Sequence, residues 1–190
     1  MALLNDSQRY GALTKFFHWI IVALFALQYA AGYTMVSLSS KQTALGLTQA
    51  NYYNWHKSIG LVVLVFATLR LLNRTFNTLP DFASSLTPVE KRMMHHYENV
   101  LYLAMFVMPI SGYIYVMAGG YGVHFFEVVH LTNPIGKTPN LAFAAKWTHI
   151  LSSYVILIAL VAHLGVVLRH QLILKNGLLS RMTPGSPDSS

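Results

Sequence analysis

The sequence predicts an all-α fold, an integral membrane four-helix bundle with both termini in the cytoplasm. Three observations carry that expectation. Of the 190 residues, 54% are hydrophobic and only 10% charged, whereas a soluble domain carries about 25% charged residues. Four apolar stretches approach the roughly 20 residues that a helix needs to cross a bilayer. Lysine and arginine, finally, are distributed unequally between the segments that join those stretches.

The first stretch is Phe16–Leu38. It is too long for the core of a signal peptide and is not followed by a convincing cleavage site, so it is expected to stay in the mature protein. The second runs from about Tyr52 to Asn73, with its apolar centre at Ile59–Leu69. The third is Val100–Ala118, preceded by a polar helical turn or two, and the fourth runs from about Lys146 to Leu174. Backbone groups in lipid must be paired internally, so each stretch reads as a helix, and the alternation of a β-barrel is missing. With their flanking turns the helices are expected at about 14–38, 52–74, 88–118 and 141–175, within a single domain of residues 1–183. Residues 184–190 read as a disordered polar tail. Thr87-Pro88-Val89-Glu90 is a capping box with proline at the first helical position. Gly119-Gly120 ends the third helix, Pro109 lies inside it, and Pro134 and Pro139 punctuate the loop that follows. No internal repeat is visible.

Arg9, Lys15, Arg70, Arg74, Lys91, Arg92, Arg169, Lys175 and Arg181 fall on one side of the expected membrane; Lys41, Lys57, Lys137 and Lys146 fall on the other. The positive-inside rule then places Ser39–Asn51 and Gly119–Ala145 outside, in a bacterial inner membrane facing the periplasm. The same charges account for the net +7 as topogenic charge beside lipid, and no nucleic-acid partner is expected. Cysteine is absent, which excludes disulfides, thiolate metal sites and covalent attachment of haem through Cys-x-x-Cys-His.

Nine histidines are the unusual feature, because a titratable ring inside a helix bundle is costly unless it has a task. His149 and His163 are 14 residues apart on the fourth helix. That is close to four turns, so both face one way, roughly 21 Å apart along the axis. Depth pairs His149 with His56, at the outer start of the second helix, and His163 with His18, a turn into the first. Two imidazoles at one level supply the axial positions of a haem iron, the porphyrin providing the other four. Catalytic zinc typically takes three protein ligands. The expectation is therefore two b-type haems, with His18 and His163 on the inner iron and His56 and His149 on the outer one. Each residue also has a plainer reading: His18 beside Trp19 and His56 beside Trp55 as interface anchors, His149 and His163 as packing groups. His95 and His96 read as interface or quinone-side residues, His124 and His130 as solvated loop residues, and His170 as an alternative to His163 at the membrane boundary.

Several of these residues resemble the bacterial cytochrome b561 family. The marks are Arg9-Tyr10, Phe17-His18-Trp19, His56-Lys57-Ser58-Ile59-Gly60 and Arg70-Leu71-Leu72-Asn73-Arg74. His95 ahead of Leu101-Tyr102 and Pro109, Trp147-Thr148-His149, His163 and the closing Gly177-Leu178-Leu179-Ser180-Arg181-Met182 complete the set. The resemblance implies four helices, two non-covalent b haems on the same four histidines, and electron exchange with a quinone pool, ubiquinone being the expected acceptor or donor. One type within the family oxidises superoxide at the outer face, which makes superoxide a candidate donor; a small molecule or protein at that face is the broader class. Lys57 and Lys146 could attract an anion or neutralise haem propionates, as could Arg9, Lys15, Arg70 and Arg74 on the inner side. Two rivals stay open: a haem-bearing membrane anchor of a hydrogenase or dehydrogenase complex, and a haem-free, transporter-like helix bundle.

Overall fold

The computed structural model describes residues 2–183; the expected polar tail, 184–190, lies outside the described residues. Four long helices dominate: α1 (Ala12–Ser37), α2 (Gln49–Phe76), α3 (Pro88–Ala118) and α4 (Pro139–Leu168). Each is long and apolar enough to cross a membrane. Many of their large apolar side chains, Leu157, Ile158 and Val161 among them, are exposed. In water that would be a liability, whereas against lipid tails it is the expected surface.

Helix starts are set by local capping. Thr87 and Glu90 close the box anticipated from sequence: the Thr87 N–H donates to Glu90 Oε2 at 2.9 Å and the Glu90 N–H to Thr87 Oγ1 at 3.3 Å. Thr48 and Asn51 repeat the device, with the Thr48 N–H donating to Asn51 Oδ1 at 3.0 Å and the Asn51 N–H to Thr48 Oγ1 at 3.3 Å. For this reason α2 begins at Gln49, ahead of its apolar run. Pro139, read from sequence as loop punctuation, is the first residue of α4, where a missing N–H costs nothing. Its predecessor Thr138 offers its carbonyl to the Ala142 N–H at 3.0 Å.

The connections carry two short antiparallel hairpins, β1 (Thr43–Ala44) with β2 (Leu47–Thr48), and β3 (Val123–Phe125) with β4 (Val129–Leu131). The second corrects the sequence reading of His124 and His130 as loop residues: they stand directly opposite one another across β3 and β4. No Asn-Gly or Asp-Gly pair announces this hairpin. Its turn instead places Phe126 and Glu127 at φ 46° and 63°, a left-handed region that side-chain-bearing residues rarely enter.

By contacts the chain divides into two compact units. Among the described residues, one contains 2–20, 66–104 and 154–183; the other contains 21–65 and 105–153. Each takes a segment from every long helix. In the first unit the chain ends are tied together. Trp19 Nε1 donates to the Met182 carbonyl at 2.7 Å and Lys15 Nζ to that of Thr183 at 3.2 Å. Arg181 donates to the Asp81 carbonyl at 2.7 Å and lies over the Tyr10 ring. Burial pushes the Tyr10 phenol up, with Glu98 adding to the effect.

Candidate haem-binding sites

In the second unit α2 contributes His56 and α4 His149. Their ring centres are 6.1 Å apart and their planes cross at 87°. A ring nitrogen lies about 2 Å from a bound first-row metal and roughly 1 Å from its own ring centre, so two imidazoles gripping one ion from opposite sides have centres on the order of 6 Å apart. The observed spacing meets that requirement. Both rings line a cavity whose other walls include Phe25, Leu61, Val63 and Met108, an apolar setting suited to a macrocycle.

The tautomer of His149 is fixed by its surroundings. Its Nδ1 lies 2.8 Å from the Met108 carbonyl, which can only accept; Nδ1 therefore carries the proton and Nε2 keeps the lone pair a metal needs. His56 Nδ1 is buried with no hydrogen-bond partner among the described residues, and its backbone carbonyl accepts from Gln28 Nε2 at 3.0 Å. Space for the His149 ring comes from a glycine, whereas at Gly32 a side chain would only reach ordinary contact with His56. A Cβ on Gly112 would stand 2.8 Å from His149 Nδ1, and one on Gly32 would stand 3.5 Å from His56 Cε1. Gly112, Gln28 and Met108 were not singled out from sequence. Only the glycine offered a signal, being a small residue inside an apolar helix where close approach is common.

In the first unit, α1 contributes His18 and α4 His163, which lie within electrostatic reach of one another and of Arg70. His163 Nδ1 is buried and also without a hydrogen-bond partner among the described residues. Arg70 lies with one guanidinium nitrogen 3.5 Å from His18 Nδ1, while its Nε donates to the Tyr102 hydroxyl at 3.1 Å. A guanidinium can only donate, so in this contact His18 Nδ1 accepts and Nε2 holds the proton. Ligation through Nε2 requires that proton to move to Nδ1 and the long Arg70 contact to open. The pair in the second unit fits a haem as it stands; the pair in the first fits after that exchange.

The remaining histidines separate from these pairs. His170, the alternative to His163, is fully buried. Its Nε2 lies 3.1 Å from Glu90 Oε1 and its Nδ1 2.7 Å from Asn176 Nδ2, so both nitrogens are engaged. It sits in a π-helical turn, Arg169–Ile173, and Arg169 pairs with the same Glu90. His95 and His96 are exposed, with His95 Nε2 3.2 Å from Asn99 Nδ2. Of the lysines considered for an anion, Lys57 donates to the Gly122 carbonyl at 3.2 Å and lines the cavity. Lys15 is buried against the chain end.

Residues 9–185 match the family of prokaryotic cytochrome b561. The chain belongs to that family. It is similar to cytochrome b561 homolog 2 of Escherichia coli (strain K12), with 27% identity over 96% of this chain and 95% of that protein. As a cytochrome b561 it is a multi-pass bacterial membrane protein that binds b-type haem and takes part in electron transfer. The family marks at the chain ends also acquire a structural meaning: Tyr10 and Arg181, far apart in sequence, meet face to cation.

Proposed function

We propose that this cytochrome carries two b haems, one held by His56 and His149 and the other by His18 and His163. It would move electrons across the bacterial inner membrane between a donor at the outer face and the quinone pool. The observation that carries this reading is the His56–His149 pair, 6.1 Å between ring centres and facing into an apolar cavity. Bound there, a haem would be held by His56 and His149 and would supply a one-electron couple.

The chain's own residues bind, orient and tune. The Met108 carbonyl holds the His149 proton on Nδ1, and Gly112 leaves room for the His149 ring. Arg70 places a fixed cation beside His18 and His163. The 14-residue spacing of His149 and His163 on α4 supports two levels of ligation. The lysine and arginine count supports cytoplasmic termini, which puts His56 and Lys57 toward the outer face. Lys57 gives an anionic donor a reason to approach there; superoxide is the one to test, with ubiquinone as acceptor.

Haem content decides the ligand assignment. We expect His56→Ala and His149→Ala each to remove the same one of two haems, and His18→Ala and His163→Ala each to remove the other, measured as pyridine haemochrome per protein. Equal loss from His95→Ala would sink the pairing. Rapid mixing of the oxidised protein with superoxide, with and without ubiquinone, tests the donor: haem reduction is expected, and its absence would return the donor to an unidentified molecule or protein. A soluble subunit that co-purifies stably would favour the membrane-anchor reading instead.

A further inference from the structure

We propose that the β3–β4 hairpin carries a second, independent metal site, in which His124 and His130 chelate a divalent late transition ion of the zinc or copper class. The two residues face one another across the ladder, their ring centres are 4.4 Å apart, and His130 Nδ1 lies 3.2 Å from His124 Nε2. Two nitrogens bound about 2.0–2.1 Å from one ion, at angles between roughly 90° and 110°, stand about 2.9–3.4 Å apart. The observed separation lies within that interval, so an ion can replace the proton between the rings without rearrangement. Both side chains are exposed, so the ion reaches them from solvent. No third His, Cys, Asp or Glu joins them among the described residues, leaving water for the other positions. Neutral imidazole suits zinc, copper and nickel, and the absence of a grouped carboxylate among the described residues argues against calcium or magnesium.

The hairpin is held in place, which distinguishes this pair from two histidines on a loose loop. The Phe126 N–H donates to Ser58 Oγ at 2.8 Å, and the Phe126 ring packs edge-on against Trp55 at 5.8 Å. The left-handed conformations of Phe126 and Glu127 persist only where the surroundings over-determine them. Ser58 lies two residues beyond His56, so an ion on the hairpin would stiffen a segment pinned to the helical turn that bears a proposed haem ligand. Lys57 donates to the Gly122 carbonyl at the start of the hairpin, and a cation there favours water or an anion as the ion's remaining ligands.

The test is calorimetric titration of the tag-free, haem-loaded protein with Zn2+, alongside His124→Ala and His130→Ala. We expect the wild type to take up one ion. Each variant should bind roughly tenfold more weakly or worse, since residues that merely orient a metal ligand are already worth about that much. An unchanged haem spectrum reports that the variants keep their fold. Uptake equal in all three proteins, or none by the wild type, would overturn the proposal. Cu2+ added to the oxidised wild type gives a reading that needs no variant: splitting from two imidazole nitrogens in its electron paramagnetic resonance spectrum is expected, and splitting from one or none would also overturn it.

Discussion

Two residues besides the histidines govern the proposed sites, and each can be tested alone. Gly112 matters for the atom it lacks. Alanine is favoured over glycine inside a helix by about 1 kcal/mol, so Gly112→Ala should not harm α3. Its Cβ, however, would stand 2.8 Å from His149 Nδ1 and must push the ring aside. We expect one haem lost and the other retained, read as haem per protein, with the helix content by circular dichroism unchanged. Arg70 acts through charge. A fixed cation favours the reduced, less positive iron, so Arg70→Met should lower one of two midpoint potentials. The expected drop is about 50 mV, equivalent to roughly 1 kcal/mol for one electron, and potentiometric titration would show it as a shift in one wave. The four ligand candidates could be proposed from the sequence because helical spacing and depth are properties of one chain segment at a time. Gly112 and the Arg70–His18 contact were not, because each depends on which residue of another helix arrives opposite.

At the level of elements, helices were easier to read than connections. Apolar length marked all four spans, and the box at Thr87 and Glu90 fixed the start of α3. The start of α2 was missed because its capping partner is Asn51, rather than the Glu or Gln that the sequence pattern specifies. The β3–β4 hairpin was missed because its turn uses Phe126 and Glu127, neither of them a usual turn residue; it is specified by tertiary contact with Ser58. That dependence gives a test. Ser58 is fully buried, and Ser58→Ala leaves the Phe126 N–H without its 2.8 Å acceptor. A loss of this kind costs about 1–3 kcal/mol. We expect faster hydrogen exchange at Phe126 and along β3, measured by mass spectrometry, while α3 exchanges as before.

For the whole molecule, the class was legible in composition, and the direction of insertion is proposed from the count of charges. The count rests on where nine cations stand against four and can be checked chemically because the chain has no cysteine of its own. Gln8→Cys and Val128→Cys each introduce a single exposed thiol, one near the first residue of α1 and one in the β3–β4 turn. A membrane-impermeant maleimide applied to intact spheroplasts should label Cys at 128 and spare Cys at 8; the reverse pattern would invert the proposed topology. The tie between the chain ends was the feature least visible beforehand. The closing Gly177–Met182 segment stood out as a family mark, but nothing local to it says that its carbonyls serve Trp19, or that Lys15 reaches the next residue along.

That last tie has a consequence for biosynthesis. Lys15 is only 6% exposed, and the Thr183 carbonyl that receives its ammonium belongs to a residue 168 positions later. The ribosome therefore delivers the cation long before this acceptor. Until residue 183 has emerged, the Lys15 charge must shelter in water or among lipid headgroups, and the contact that buries it cannot form.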